Sequence, residues 1–206
     1  MPDSWDDVYN KELNNFSDHG DVGEVWFGEE SIFRIIRWLR YNYNGSKEDL
    51  IIDLGCGNGM MLVELAREGY QHLVGLDYSK QAIKLASSII SKQEMDSVVS
   101  FKECDLLSEK LESSAYSVAL DKGTYDAISL SPIQVKEKCS LYIKKVHDIV
   151  KPNGLFIITT CNWTDKEIIS QFSEYFGLHS VIPTPEFKFA GKVGKLVSCI
   201  VLQRIN

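Results

Sequence analysis

The sequence predicts a doubly wound α/β domain, an open and mostly parallel sheet with helices on both faces. Three observations predict it. Short apolar runs of strand length alternate with segments of helical period. A glycine-rich turn follows the first run, at Gly55–Gly59. The last part of the chain reads as strands without intervening helices.

The elements follow in order. Residues 1–28 show no clear period but carry Trp5, Tyr9, Phe16, Trp26 and Phe27, so an arm packed on the domain is expected. Glu29–Asn44 reads as a helix with Ile32, Ile35, Ile36, Leu39 and Tyr43 on one stripe, stopped at Gly45-Ser46. Leu50–Leu54 is a buried strand, and Met60–Arg67 a helix that Gly69 ends. His72–Leu76 is the second strand, and Ser79 caps the helix after it. Val98–Lys102 and Tyr116–Leu120 are the third and fourth strands, and Val135–Val150 is the next helix. Pro152-Asn153-Gly154 is read as a turn into a fifth strand, Leu155–Cys161. Thr164 and Glu167 form a capping box for a helix to about Tyr175. Ser180–Arg204 reads as two strands around Gly191–Gly194, a hairpin adding an antiparallel strand at the sheet edge.

Length and charge narrow the function. A chain of 206 residues fits one domain, with 1–45 as arm and first helix and 46–206 as the core. The net charge of −7 disfavours nucleic acid, which needs a basic surface, and favours a basic protein partner. Five scattered cysteines without a CxxC pair read as reduced thiols, and no local Cys or His pair starts a metal site. The acidic N-terminus is unlike a targeting peptide, and no apolar run is long enough to span a bilayer. A cytoplasmic monomer is expected, with the nucleus as a second location.

Open sheets of this kind bind ligands beyond the carboxyl ends of their strands. There the sequence places Asp53-Leu54-Gly55-Cys56-Gly57-Asn58-Gly59, whose glycines allow close backbone approach to a ligand. Asp77 ends the second strand, 18 residues past Gly59, where a carboxylate accepts from ribose hydroxyls. Met60 breaks the dinucleotide pattern G-x-G-x-x-G, and Asp53 would repel a pyrophosphate but suit a cationic amino group. A nicotinamide oxidoreductase is thereby disfavoured. A plain tight turn with Asp53 as cap, and a binding module without turnover, stay as alternatives.

D-x-G-x-G-x-G resembles the first motif of class I S-adenosylmethionine-dependent methyltransferases. Trp5-Asp6-x-x-Tyr9, Gly23–Glu29, Asp121-Lys122-Gly123-Thr124, Cys161-Asn162-Trp163-Thr164, Pro183-Thr184-Pro185 and Phe187-x-Phe189-x-Gly191 sharpen the resemblance. Together they resemble the eukaryotic elongation factor 1-alpha lysine methyltransferases, of the lysine methyltransferase 2 type. The resemblance implies a Rossmann-like, seven-stranded class I fold with a C-terminal antiparallel hairpin. It also implies S-adenosylmethionine as cofactor, S-adenosylhomocysteine as product, no metal, and a lysine of elongation factor 1-alpha as substrate.

The expected cofactor contacts are Trp26, Asp53, Gly55, Gly57, Gly59, Asp77, Tyr78, Asp105, Leu106 and Asp121. Asp105 would accept from the adenine amino group, and Leu106 would cover the ring. Asp121 and Asp126, flanking Gly123, are the expected groups for drawing in a substrate cation and taking its proton. Phe27, Glu29, Tyr125, Asn162 and Trp163 are assigned to the substrate end. Packing of Trp26 and Phe27 against the sheet edge, and an ordinary turn at Asp121–Gly123, are the competing readings.

Overall fold

The computed structural model describes residues 5–111, 115–189 and 192–205. The chain opens with α1 (Trp5–His19) and α2 (Glu29–Asn42), and continues through β1 (Leu50–Leu54), α3 (Met60–Arg67), β2 (His72–Asp77), α4 (Lys80–Lys92) and β3 (Val99–Glu103). Then come β4 (Tyr116–Lys122), α5 (Thr124–Ser129), α6 (Val135–Ile149), β5 (Val150–Thr160) and α7 (Asp165–Phe172). The chain finishes through β6 (Phe176–Val181), β7 (Glu186–Phe189), β8 (Lys192–Lys195) and β9 (Ser198–Arg204).

Seven strands form one sheet in the order β3-β2-β1-β4-β5-β9-β6, as expected for the class I fold. β1 pairs in parallel with both β2 and β4, so strand order reverses at β1/β4. That reversal opens a crevice at the carboxyl ends of the two strands. Successive strand residues point to opposite faces, and two cores follow. Ile51, Val118, Leu120 and Ile157 meet Ile32, Ile35, Leu62, Leu85 and Ile89 on one face. Ile52, Ala119, Phe156 and Ile158 meet Tyr142, Val146, Ile168 and Phe172 on the other. Ser79 caps α4 by accepting from the Ala82 amide, and the Thr164–Glu167 capping box starts α7.

Four local expectations need correcting. Residues 5–19 form a helix, because Trp5, Val8, Tyr9, Leu13 and Phe16 share one stripe that the polar residues between them obscure. Tyr9, Leu13 and Phe16 pack against the first core. The segment after Gly123 forms the short helix α5. β5 starts at Val150, and Pro152–Gly154 lies within it as a bulge: Tyr116 pairs with Val150 and Val118 with Leu155. Helix α7 ends at Phe172, short of Tyr175.

The C-terminal strands also differ from a simple edge hairpin. β9 runs antiparallel between β5 and β6, so the antiparallel strand is internal and β6 forms the edge. Its apolar Cys199–Leu202 run suits a strand covered on both faces. β7 and β8 pair separately as a two-stranded ribbon. Gly191, in the expected turn and in the family motif, lies outside the described residues.

Candidate active site

Two adjoining cavities, of about 120 and 360 Å³, lie over the carboxyl ends of β1, β2 and β4. Trp5, Gly55, Asp77, Tyr78, Thr124 and Ala127 line both, so they form one cleft. The smaller part is closed by α1, through Val8, Tyr9 and Glu12, and by Glu24 and Trp26. The larger part is bordered by Cys104, Asp105, Leu106 and Leu107 on one side and Ile128, Ser131 and Lys138 on the other.

The glycine loop is shaped by its neighbours. Gly55 and Gly57 have φ of 71° and 54°, a backbone region that favours glycine. A Cβ on Gly55 would lie 2.0 Å from the Thr124 hydroxyl, and one on Gly57 would lie 2.5 Å from the Tyr9 hydroxyl. Asp77 holds the loop: its carboxylate accepts from the Gly57 amide at 3.0 Å and from the Ser79 amide at 2.9 Å. Gly59 lines neither cavity. A Cβ there would meet Phe101 at 2.7 Å, so Gly59 serves close helix–strand packing rather than ligand contact.

Asp53 lies behind the cleft rather than in it. Its side chain is 2% exposed and lines neither cavity. Burial pushes its carboxyl up to about 7, opposed by the Lys122 ammonium and reinforced by Asp77. Lys122 is the residue that reaches the cleft wall. Its Nζ donates to the Trp26 carbonyl at 3.0 Å. Burial lowers the Lys122 pKa, while Asp53, Asp121 and Cys56 hold it up. Sequence reasoning passed over Lys122. The signal was a lysine at the end of an apolar strand, directly after the carboxylate of Asp121.

Asp105 and Leu106 border the larger cavity. Both Asp105 oxygens are engaged within its own turn, by the Leu107 amide at 2.9 Å and the Ser108 hydroxyl at 2.9 Å. Tyr78 and Trp26 stand at the mouth, 54% and 41% exposed. The Trp26 ring packs edge-on against Trp5 with centroids 5.2 Å apart. Asn58, a second residue the sequence reading passed over, donates to the Val22 and Glu24 carbonyls and ties the arm over the loop.

The assignments at Asp121, Asp126 and Tyr125 require correction. Asp121 is fully buried and accepts from the Thr124 amide, the Tyr125 amide and the Tyr142 hydroxyl. It caps α5 from inside the core and lines neither cavity. Asp126 accepts from the Thr160 hydroxyl and the Cys161 amide, locking α5 to the end of β5. Tyr125 is 1% exposed, packed among the rings of Tyr142, Trp163 and Phe172, and donates to Gln171. The cause is helical periodicity. Thr124, Ala127 and Ile128 turn toward the cleft, so Tyr125, Asp126 and Ser129 turn away from it.

The remaining substrate-end residues sit apart from the cavity walls. Trp163 donates from Nε1 to the Ser129 hydroxyl at 3.3 Å, and Asn162 is exposed beside it. Phe27 packs beside Trp26, with centroids 6.1 Å apart, and Glu29 is exposed in the first turn of α2. Among the described residues, no group of three His, Cys, Asp or Glu side chains is placed to hold a metal ion. Among the described residues, no helix is long and apolar enough to cross a membrane.

A seven-stranded sheet with this order, a glycine loop after β1 and a carboxylate ending β2 define a class I methyltransferase. Residues 46–191 match the family model described as a methyltransferase domain. The chain is 43% identical over 201 residues to EEF1A lysine methyltransferase 2 of Homo sapiens, covering 98% of this chain and 84% of that protein. It is 39% identical to protein-lysine N-methyltransferase efm4 of Schizosaccharomyces pombe, covering 97% and 91% of the two chains. The chain belongs to the EEF1A lysine methyltransferase 2 family.

Solved structures agree on the fold. One is the PH0226 protein from Pyrococcus horikoshii OT3, with a TM-score of 0.66 at 16% identity over 90% of this chain and 94% of that one. Another is a Burkholderia thailandensis 1,6-didemethyltoxoflavin-N1-methyltransferase with bound S-adenosylhomocysteine. It has a TM-score of 0.64 at 16% identity, covering 97% and 88%.

Proposed function

We propose that this chain transfers methyl groups from S-adenosylmethionine to a lysine of translation elongation factor 1-alpha. The observation that carries the reading is similarity to named lysine methyltransferases across 98% of the chain, including the arm that closes the cleft. The cleft fits the cofactor on its own evidence. Side chains at Gly55 and Gly57 would run into Thr124 and Tyr9, which line the cleft beside the loop. Glu12 Oε2, a carboxylate oxygen of a wall residue, is buried without a hydrogen-bond donor, a deficit that an ammonium relieves.

S-adenosylmethionine supplies an electrophilic methyl on a sulfonium with a good leaving group, so the protein's work is positioning and exclusion of water. Trp5, Tyr9 and Trp26 wall the glycine-loop side. Leu106 and Ile128 give the larger part apolar surface for an adenine ring. A substrate lysine must shed a proton, at a cost of about 4–5 kcal/mol at pH 7. Asp121 and Asp126 are spoken for, so desolvation between Trp26 and Tyr78 carries that step, with the proton leaving to solvent. Glu24, exposed beside Trp26 at the mouth, draws in the substrate ammonium.

The net charge of −7 suits a basic protein partner in the cytoplasm, and the chain acts as one catalytic unit and a monomer. The test is mass spectrometry of elongation factor 1-alpha after incubation with this protein and S-adenosylmethionine. Gains of about 14 Da per methyl on a lysine peptide are expected. No gain under conditions where the cofactor binds overturns the substrate.

A further inference from the structure

We infer that Lys122 binds the carboxylate of the ligand's amino-acid end and makes the cleft select a zwitterion over its decarboxylated form. The inference rests on S-adenosylmethionine being the cofactor. It names the residue that reads one end of that molecule.

Four observations carry it. Lys122 lines the smaller cavity, where the other charged wall residues are Glu12, Glu24 and Asp77. Such a wall suits a ligand carrying an amino group, and leaves a carboxylate on the same ligand with one basic partner. The ammonium has three donors and gives one to the Trp26 carbonyl, at 3.0 Å. Among the described residues no carboxylate hydrogen-bonds to it. Asp53 and Asp121 act on it only through their charge. Asp53, buried behind the wall, raises the Lys122 pKa against burial and is a counter-charge in its ionised form, above about pH 7.

A consequence follows for the order of events. A bare ammonium in the wall repels the ammonium of an arriving lysine. A carboxylate seated on Lys122 removes that repulsion, so cofactor binding prepares the cleft for substrate.

Calorimetry with S-adenosylhomocysteine and its decarboxylated analogue tests the assignment. The unaltered protein is expected to bind the carboxylate-bearing ligand roughly 10–100-fold more tightly. Lys122→Met removes that preference, and Lys122→Arg keeps part of it. The double variant Lys122→Met/Asp53→Asn removes both charges together. It serves if the single change leaves a buried carboxylate that prevents folding. Equal affinity of the unaltered protein for the two ligands, or equal weakening of both by Lys122→Met, overturns the assignment. Failure of the unaltered protein to bind either ligand overturns the cofactor reading itself, and this inference with it.

Discussion

The Tyr142 hydroxyl donates to Asp121 Oδ2 inside the core, and the same oxygen accepts from the Tyr125 amide. Asp121 thereby joins β4, α5 and α6 at a point closed to solvent, and its charge has no route to a substrate. Asp121→Ala is expected to cost about 3–5 kcal/mol of stability, because it strands buried donors. Tyr142→Phe should cost about 1 kcal/mol. Urea denaturation measures both. A catalytic Asp121 would give the opposite pattern, lost turnover at unchanged stability.

Asp77 and the glycine loop form the next testable unit. Asp77→Ala removes the acceptor of the Gly57 and Ser79 amides and releases the loop. Affinity for S-adenosylhomocysteine is expected to fall by at least roughly 10-fold, the scale of one charge-assisted hydrogen bond. Gly57→Ala should weaken binding too. Its φ of 54° strains a side chain, and the new methyl meets the Tyr9 hydroxyl that closes the cleft. Titration calorimetry gives both affinities.

Protonation of Asp53 links stability to pH. Its carboxyl rises from an ordinary value near about 3.9 in the unfolded chain to about 7 in the fold. Between those values the folded state holds the extra proton, so stability falls as pH rises and levels off above the folded pKa. The Tm of the unaltered protein, relative to Asp53→Asn, should therefore climb as pH drops from about 8 to about 6. A difference that is flat over this interval would show that Asp53 stays ionised.

At the mouth, Glu24→Gln removes a carboxylate without touching the loop that holds the cofactor. The expected result is a several-fold rise in KM for the protein substrate, exceeding any loss of S-adenosylhomocysteine affinity from the same wall. Steady-state methylation at varied substrate, at low and high salt, measures it. The KM difference should shrink at high salt, because the attraction is between exposed charges.

Much of this architecture was readable in advance. Apolar runs give β1, β2, β4 and β5, because a strand covered on both faces must be apolar throughout. Ser79 and Thr164 announced their helices through the orphan amides that they cap. The helix α1 was obscured because its apolar stripe is diluted by Asp6, Asp7, Asn10, Asn14 and Asn15. It becomes a helix by docking on α4, where the Ser79 hydroxyl donates to Asp6. The internal place of β9 was equally out of reach. Pairing partners are chosen by contacts far apart in the chain, and an apolar strand suits either a central or an edge position.

The amino-acid order alone determined the α/β class, the glycine loop, the carboxylate ending β2 and the family. Each of these is a local pattern or a run of identities. Only the tertiary structure decided which acidic groups meet the cleft. Asp53, Asp121 and Asp126 look alike in sequence, yet each is turned inward. Asp53 is buried behind Lys122. Asp121 and Asp126 are held by α5 and the end of β5. The reason is directional: one helical residue is rotated by about 100° from the next. A shift of one position therefore separates a wall of the cleft, such as Thr124, from the core, where Tyr125 lies.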